Sequence, residues 1–450
     1  MAEAPNSTTV STRQQRIAEL AKESPQTAFT SLNHYIDLEW LIEAYRLTRK
    51  SGAVGVDGQT GRDYEVNLES NLQSLLDRAK SGTYKAPPVR RKYIPKGTGT
   101  DTRAIGIPTF EDKVLQRAVV LVLEPLYEQQ FYDCSYGFRP KRSAHQALQS
   151  VWDQAMRTGG GWILEADIRK FFDTLDHAVL RELVQRRVRD GVLLRLIGKW
   201  LNAGVFEGGS ITYPEDGSPQ GGVISPMLAN IYLHYVLDEW FARDVQPRLD
   251  GKAFLVRYAD DFVIGFTEES DARKVMDVLP KRFGKYGLTI HPDKTRLIPF
   301  RKPQTSRRSS GSGDDGPGTF DLLGFTHFWD RSRKGNWVIR KRTAGNRFTR
   351  AVKAIYKWCK LNRHLPLEEQ QHTLRQKMRG HYAYFGLTGN FYALTAFQSV
   401  VQRTWRKWLG RRKRDGKLRW DYFNRLLKRY PLPPARVVHS VYDPRSKAVT

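Results

Sequence analysis

Two adjacent carboxylates stand between two apolar runs in the second half of the sequence. Asp260 and Asp261 are preceded by residues 254–259 and followed by residues 262–266, most of which are apolar. These runs predict a β-hairpin that carries the carboxylates at or beside its turn. Hairpin turns usually contain glycine or asparagine, and like charges beside buried strands repel each other unless a cation neutralises them. Such a pair is either a solvated acidic turn or a cation site.

A third carboxylate ends another short strand-like segment. Asp167 follows residues 161–166 and lies 93 positions before Asp260. If the two strands are neighbours in one sheet, both carboxylates converge on a hard cation such as Mg²⁺, which prefers oxygen ligands and keeps positions open for water and phosphate. Two such ions about 3.5–4 Å apart stabilise the attacking and the leaving oxygen of a phosphoryl transfer. The residues therefore indicate a phosphoryl-transfer site, and a plain strand-end role for Asp167 stays open.

Three motifs follow one another in an order that resembles group II intron-encoded reverse transcriptases, the maturase family. Tyr258-Ala259-Asp260-Asp261 is similar to the signature hairpin of that family, and residues 167–173 are similar to its other metal-binding motif. Between them, residues 217–226 resemble its template- and nucleotide-positioning motif. The resemblance runs from about residue 38 to about residue 440. It implies an α+β right-hand polymerase, with fingers and a split-βαβ palm followed by an α-helical thumb and maturase region.

The resemblance also implies a reaction, in which a primer 3′-hydroxyl attacks the α-phosphate of a deoxynucleotide and pyrophosphate leaves. Asp167 and Asp260 would hold two Mg²⁺ ions, with Mn²⁺ as a substitute and the carbonyl of Ile168 assisting. Asp261 matches the second carboxylate of the pair. Phe172 would lie beside the sugar, where a bulky ring leaves little room for a 2′-hydroxyl, and its alternative role is that of a core phenylalanine.

Other residues are implied to contact the nucleotide. Lys96 and Arg103 flank a glycine-rich loop between two predicted strands, and both side chains donate to phosphate oxygens. Taken alone, they would be interpreted as solvated hairpin cations. Gln220 and Gly221 would position the nucleotide and the templating base, and Lys294 belongs to a short motif similar to one near the nucleotide.

The charge of the chain is concentrated at one end. The net charge is +27, and residues 331–450 contain 30 Lys and Arg residues against five Asp and Glu residues. Cations interleaved with aromatic rings are typical of nucleic-acid binding. Arg139, in a Gly-Phe-Arg-Pro turn, is either a phosphate contact or a structural residue. The predicted contacts in the last quarter are Arg379, Tyr382, Arg403, Trp405, Arg406, Lys407, Arg411 and Arg412.

The sequence divides into six predicted segments. They are a flexible N-terminal tail (1–30), an N-terminal extension (31–85), reverse transcriptase fingers and palm (86–300), a flexible loop (301–319), a primer-grip hairpin (320–344), and a helical thumb with an RNA-binding maturase domain (345–450). The loop is rich in Ser, Gly, Asp and Arg and has no apolar period.

The composition excludes several classes of protein. Cys134 and Cys359 are the only cysteines, so we expect neither a disulfide framework nor a zinc site. No run of about 18 apolar residues predicts a membrane span, and residues 1–20 do not have the apolar core of a secretory signal. We therefore expect a cytoplasmic, bacterial protein that does not bind membranes. The His- and Cys-rich nuclease domain of many relatives is not expected, so a target-DNA nick would come from elsewhere.

The expected partners are group II intron RNA, an RNA template with a DNA or RNA primer, deoxynucleoside triphosphates and target DNA. The expected function is RNA-templated DNA polymerisation together with binding of the intron RNA to assist splicing and retromobility. The motifs leave open an intron-independent reverse transcriptase that serves repair or defence. A non-catalytic splicing chaperone is disfavoured by the intact carboxylates, and an RNA-templated RNA polymerase is disfavoured by Phe172.

Overall fold

The computed structural model describes residues 7–95, 102–213, 221–303, 318–412 and 416–440. Lys96, Gln220 and most of the predicted loop at 301–319 lie outside these ranges. The chain forms two compact units, Met1–Gln154 with Trp162–Leu297 and Ala155–Gly161 with Ile298–Thr450. No helix in the described ranges has both the length and the apolar character needed to cross a membrane.

Helices dominate the chain up to residue 284. Their bounds are α1 (Ser7–Glu23), α2 (Leu38–Leu47), α3 (Gly61–Glu65), α4 (Leu68–Ser81), α5 (Phe110–Glu128), α6 (Ala144–Thr158), α7 (His177–Gln185), α8 (Gly191–Leu201), α9 (Ser225–Leu233) and α10 (Glu269–Gly284). Two π-helical turns, His234–Asp238 and Phe241–Val245, continue the direction of α9.

Two sheets lie along the same part of the chain. The strands are β1 (Val89–Pro95), β2 (Thr102–Ile107), β3 (Trp162–Ala166), β4 (Val205–Glu207), β5 (Ser210–Thr212), β6 (Ala253–Tyr258), β7 (Asp261–Phe266) and β8 (Arg296–Pro299). One sheet has the order β2-β1-β4-β5 and the other has the order β6-β7-β3-β8. The strands of the second sheet follow the chain order strand, helix, strand, strand, helix, strand, as the sequence predicted.

The central strands of that second sheet are β7 and β3. They pair antiparallel from Trp162 opposite Phe266 to Ala166 opposite Phe262, and β7 pairs with β6 from Ala253 opposite Phe266. Four of the five residues that follow Asp261 in β7 are apolar, and all five are buried. A strand that is buried on both faces has little freedom to change register. The ends of β3 and β7 are therefore fixed relative to each other.

From residue 7 onwards, the N-terminal segment is not the flexible tail that the sequence predicted. Residues 7–23 form α1, which packs against α5, and Val10, Ile17 and Ala21 are buried in the main core. Gln14 also donates a hydrogen bond to the carbonyl of Leu121, over 3.0 Å. The abundance of Ser, Thr and Gln concealed the few apolar residues, whose spacing of seven and four matches one face of a helix.

The second unit combines a small sheet with four helices among its described residues. Its elements are β9 (Phe320–Leu322), β10 (Phe325–Arg331), β11 (Trp337–Thr343), α11 (Gly345–Leu361), α12 (Leu367–Phe385), α13 (Phe391–Gly410) and α14 (Trp420–Arg429). The sheet order is β11-β10-β9, all antiparallel. The predicted hairpin at 320–344 therefore has a third strand, and the helical pattern predicted from Gly345 is confirmed.

Candidate active site

The turn that joins β6 to β7, called the carboxylate turn below, contains only Ala259 and Asp260. Tyr258 pairs with Asp261 across the hairpin and closes it. Ala259 has a φ of 56°, in the left-handed region that tight hairpin turns require. The sequence offers no glycine here, so an alanine adopts a backbone conformation that L-residues seldom take. Such strain is retained only where the surroundings hold the residue in place.

Asp167 lies beside this turn. Ala166, the last residue of β3, pairs with Phe262 of β7. Asp167, the next residue, is therefore level with Asp261 at the start of β7. Burial raises the pKa of the Asp260 carboxyl, a backbone hydrogen bond and the Arg103 guanidinium oppose that rise, and the Asp167 carboxylate adds to it. The structure thus brings together two carboxylates that are 93 positions apart in sequence.

A second loop fixes Asp167 from its other side. The carbonyl of Asp167 accepts a 2.8 Å hydrogen bond from the backbone nitrogen of His291, and Ile168 forms a β-bridge with Ile290. Lys294, in the short helical turn that follows, donates through Nζ to Oδ2 of Asp167 over 2.7 Å. Lys294 therefore pairs with Asp167 in this structure, and its contact with the nucleotide stays a prediction.

The donor set fits magnesium. Asp167 and Asp260 offer carboxylate oxygens, and Mg²⁺ commonly takes only one or two carboxylates, with water and substrate phosphates completing its octahedron. Within the described ranges, no three His, Cys, Asp or Glu side chains are gathered into a complete ligand set. Asp261 is exposed at the start of β7. Its role as a ligand, like that of the Ile168 carbonyl, remains a prediction.

Two of the predicted nucleotide contacts, Arg103 and Gly221, lie on β2 and in the segment before α9. Arg103 lies on β2, opposite Ile94 of β1. Gly221 has a φ of 122°, and a β-carbon there would lie 2.6 Å from the carbonyl oxygen of Gly106 in the same strand. Only glycine allows the segment that follows Gln220 to pass so close to β2.

Phe171 and Phe172 are neighbours that differ in burial. Phe171 is 2% exposed and belongs to the main core, whereas Phe172 is only partly buried at its edge. Their rings meet edge to face with centroids 5.2 Å apart. Phe172 packs against the core and keeps part of its surface exposed, so both of its predicted roles stay open.

Arg139 is not placed to contact phosphate. Its guanidinium is buried, forms a two-pronged pair with Glu128 at 2.9 and 3.0 Å, and donates to the carbonyls of Tyr132 and Ser135. The neighbouring Gly137 lies directly beneath the carboxylate turn, since a β-carbon there would be 2.3 Å from the nitrogen of Ala259. The Gly-Phe-Arg-Pro segment therefore supports the hairpin, and the structural reading of Arg139 is correct.

Sequence reasoning missed a set of buried polar residues behind the site. Arg257 forms an ion pair with Asp238, and both side chains are 0% exposed. Asp112 is also buried and accepts hydrogen bonds from Tyr84, Trp200 and Gln116. A lone arginine inside the apolar run of β6 was the available signal, whereas the surroundings of Asp112 and Asp238 become visible only in three dimensions.

The predicted nucleic-acid contacts of the second unit fall into two groups. Tyr382 and Trp405 are 0% exposed and form part of its core, so the prediction that they touch nucleic acid is wrong. Arg406 donates to the carbonyl of Leu418, and Arg412 donates to the carbonyls of Arg363 and Leu365. Among the other predicted contacts, Arg379 on α12, Arg403 and Lys407 on α13, and Arg411 directly after α13 are exposed.

Exposed aromatic rings accompany these cations. Tyr392 is 89% exposed at the start of α13, and Trp420 and Tyr422 are 43% and 51% exposed on α14. The guanidinium of Arg406 lies 4.1 Å from the centroid of the Trp420 ring. Flat rings beside cations provide a surface on which unpaired bases stack. The sequence correctly indicated the composition of this surface but not which rings reach it.

Paired carboxylates beside cations form a donor set that can bind divalent metal ions and phosphate groups. Residues 94–327 match the family described as reverse transcriptase (RNA-dependent DNA polymerase). That match covers more than half of the chain, and the chain therefore belongs to the reverse transcriptase family.

The chain is also similar in sequence to individual proteins, among them proteins encoded by introns. Protein YkfC of Escherichia coli (strain K12) is 37% identical over 327 residues, which are 64% of this chain and 84% of that protein. Group II intron-encoded protein LtrA of Lactococcus lactis subsp. cremoris is 38% identical over 225 residues, 49% of this chain but 37% of that protein. The putative COX1/OXI3 intron 1 protein of Saccharomyces cerevisiae is 27% identical over 309 residues, 58% of this chain and 37% of that protein. The similarity is thus to group II intron-encoded reverse transcriptases and maturases.

Proposed function

We propose that the protein copies RNA into DNA at a two-metal site made by Asp167 and Asp260, and that it binds a group II intron RNA to assist splicing and retromobility. The observation that carries the polymerase proposal is the convergence of these two carboxylates, one at the end of β3 and one in the β6–β7 turn. Asp261 and the carbonyl of Ile168 are the further proposed ligands.

The proposed chemistry depends on position and charge rather than on an acid–base pair. When bound, magnesium ions would neutralise charge on the primer 3′-oxygen and on the phosphates. Arg103 and Lys96 would donate hydrogen bonds to the triphosphate. Lys294, which pairs with Asp167, would also contact the nucleotide. Phe172 would exclude a ribose 2′-hydroxyl. Gly221 and Gln220 would orient the nucleotide against the templating base.

The proposed architecture is that of a right hand. The sheets β2-β1-β4-β5 and β6-β7-β3-β8 would serve as fingers and palm, β9 to β11 as the primer grip, and the helices from α11 onwards as thumb and RNA-binding domain. The exposed Arg379, Arg403, Lys407 and Arg411 would contact the phosphates of structured RNA. Trp420 and Tyr422 would stack on its unpaired bases.

Primer extension on an RNA template with Mg²⁺ and deoxynucleotides tests the polymerase proposal. Wild type should extend the primer, and Asp260→Ala should not. Asp250→Ala is the matched control, because Asp250 is an exposed carboxylate of the same unit that forms an ion pair with Lys274 at the surface. Absence of extension by wild type, with RNA binding retained, would instead support a splicing chaperone.

Splicing of an intron transcript tests the maturase proposal. The intron that neighbours the gene should be spliced faster in the presence of wild type and of Asp260→Ala alike, since splicing does not use the polymerase site. An active polymerase that leaves splicing unchanged would identify an intron-independent reverse transcriptase.

A further inference from the structure

An arginine with no exposed surface lies two residues before the carboxylate turn. Arg257 is 0% exposed near the end of β6, the edge strand of the sheet that carries the site. Arginine is almost never fully buried unless it is paired, because removing a guanidinium from water is expensive. The environment of Arg257 therefore requires an explanation beyond the general stability of the core.

Four of the five N–H donors of Arg257 have identified acceptors. Nε and Nη2 donate to the two carboxylate oxygens of Asp238 over 2.8 and 2.5 Å. Nη1 donates to Oδ1 of Asn230 and to the carbonyl oxygen of Ala259, each over 3.0 Å. The last of these bonds ends on the first residue of the turn, which is the residue with the left-handed backbone.

The acceptors are themselves held in place. Asn230 donates through Nδ2 to the carbonyl of Gly137, over 2.7 Å, and Gly137 is the residue that packs beneath Ala259. The backbone of Arg257 is bonded on both sides of its peptide, to the carbonyl of Cys134 and to the nitrogen of Tyr136. The turn is thus held both by its own strand and by the segment below it.

A π-helical turn brings Asn230 and Asp238 to the same guanidinium. In a regular α-helix, residues eight positions apart lie about 80° apart around the axis. The π-helical turn His234–Asp238 accommodates one extra residue, so the effective separation is seven positions, or about 20°. Both side chains therefore face Arg257, and the irregular helix is explained by the network that it completes.

We infer that Arg257 is a positioning residue, which fixes the Ala259 carbonyl and thereby the place of the Asp260 carboxylate relative to Asp167. Asp238 and Asn230 orient the guanidinium, so the unit acts as a buried support for the metal-binding turn. A general contribution to stability does not account for the arrangement, since buried ion pairs are often no better than apolar side chains of equal volume. This inference rests on the proposed function.

Arg257→Lys is the first test. Lysine keeps the charge opposite Asp238, but a single ammonium cannot reach Asp238, Asn230 and Ala259 together. Loss of a residue that orients a metal ligand typically weakens metal affinity or activity about 10- to 100-fold. We expect Mn²⁺ binding, titrated by electron paramagnetic resonance, to weaken at least about tenfold, and kcat to fall by a similar factor, while the KM for deoxynucleotide and the affinity for template–primer stay within about twofold.

Arg187→Lys is the matched control. Arg187 is 2% exposed in the same unit, and its guanidinium donates to the carbonyls of Ala21, Ser24 and Thr27, away from the carboxylate turn. The same substitution at equal burial should lower the unfolding temperature and leave Mn²⁺ binding unchanged. If both lysine variants weaken Mn²⁺ binding equally, the effect is a general loss of stability and the inference fails.

The double variant Arg257→Met/Asp238→Leu is the second test. It replaces the ion pair by apolar side chains, which restores packing without restoring the bond to Ala259. A folded double variant with weak Mn²⁺ binding supports the inference, and one with wild-type Mn²⁺ binding overturns it. Failure of both Arg257 variants to fold also overturns it, because Arg257 would then be needed for the fold rather than for the turn. Since Mn²⁺ binding needs no polymerisation, an inactive wild type that binds Mn²⁺ would reject the proposed function and leave this inference testable.

Discussion

The carboxylate turn of the first unit and the basic surface of the second unit use charge in opposite ways. Around the turn, Arg257, Asp238 and Arg139 are buried, and each is bonded to defined partners. On the second unit, cations such as Arg403 and Lys407 are exposed on a helix. A buried charge that is bonded to fixed partners holds the surrounding atoms in one geometry. An exposed cation attracts phosphate almost independently of its neighbours. Single substitutions should therefore be severe in the first region and small in the second.

The largest effect is expected from Asp167→Asn. The amide preserves the shape of the side chain but removes the negative charge that would bind a cation beside Asp260. We expect primer extension to fall at least about 1,000-fold, while RNA binding and the unfolding temperature stay close to wild type. The measurement is single-turnover extension at saturating Mg²⁺. Activity within tenfold of wild type would remove Asp167 from the proposed site.

The next effect concerns the support beneath the turn. In Gly137→Ala the new β-carbon would lie 2.3 Å from the nitrogen of Ala259 and 2.9 Å from the carbonyl carbon of Tyr258, so the turn must move. We expect activity to fall about 10- to 100-fold, because small displacements of reacting groups are enough for such losses. Gly198→Ala is the control, since a β-carbon there meets nothing within 4 Å. Equal activities of the two variants would show that the turn is not held from below.

The same two regions differ in how far the sequence could predict them. The β6–β7 hairpin and the strand β3 could be predicted from local apolar patterns. The pairing of β3 with β7 could be expected from the order of the motifs along the sequence. Arg257, Asp238 and Asn230 come from a strand and an irregular helix that are distant in sequence, and nothing local indicates that they meet. In the second unit, composition indicated the class of ligand, but the burial of Tyr382 and Trp405 depends on which helix faces pack together.

A smaller effect is expected from the buried carboxyl of Asp112, whose contribution to stability should depend on pH. Burial raises the pKa of Asp112 to about 6, even though Tyr84, Trp200 and Gln116 donate to it. Because this folded-state pKa lies above the unfolded value, the folded state binds more protons between about pH 4 and 6. The contribution of Asp112 to stability is therefore fully present below about pH 4 and is lost as pH rises through 6, by at most about 3 kcal/mol.

Comparison with Asp112→Asn isolates this contribution. The difference in unfolding free energy between wild type and variant, measured by urea denaturation from pH 5 to 7.5, should shift against wild type as pH rises. His234 and His327, whose pKa values burial lowers to about 3, take up protons on unfolding below about pH 6.5, but they do so equally in both proteins and cancel in this difference. A difference that is constant with pH would show that Asp112 does not titrate there.

The smallest effect is expected on the basic surface, where salt rather than pH should be the sensitive variable. Arg403→Gln and Lys407→Gln each remove one exposed cation from α13 without disturbing the core. Each phosphate contact contributes about 0.7 to the slope of log affinity against log salt for single-stranded nucleic acid. We expect each variant to lower the slope by about that amount and the double variant by about twice as much, with primer extension at low salt nearly unchanged. Lys80→Gln, an exposed cation on α4 of the first unit, is the control and should leave the slope as it is. A loss from either single variant as large as that from the double variant would contradict independent contacts, and would mean that this surface, like the carboxylate turn, acts as one network.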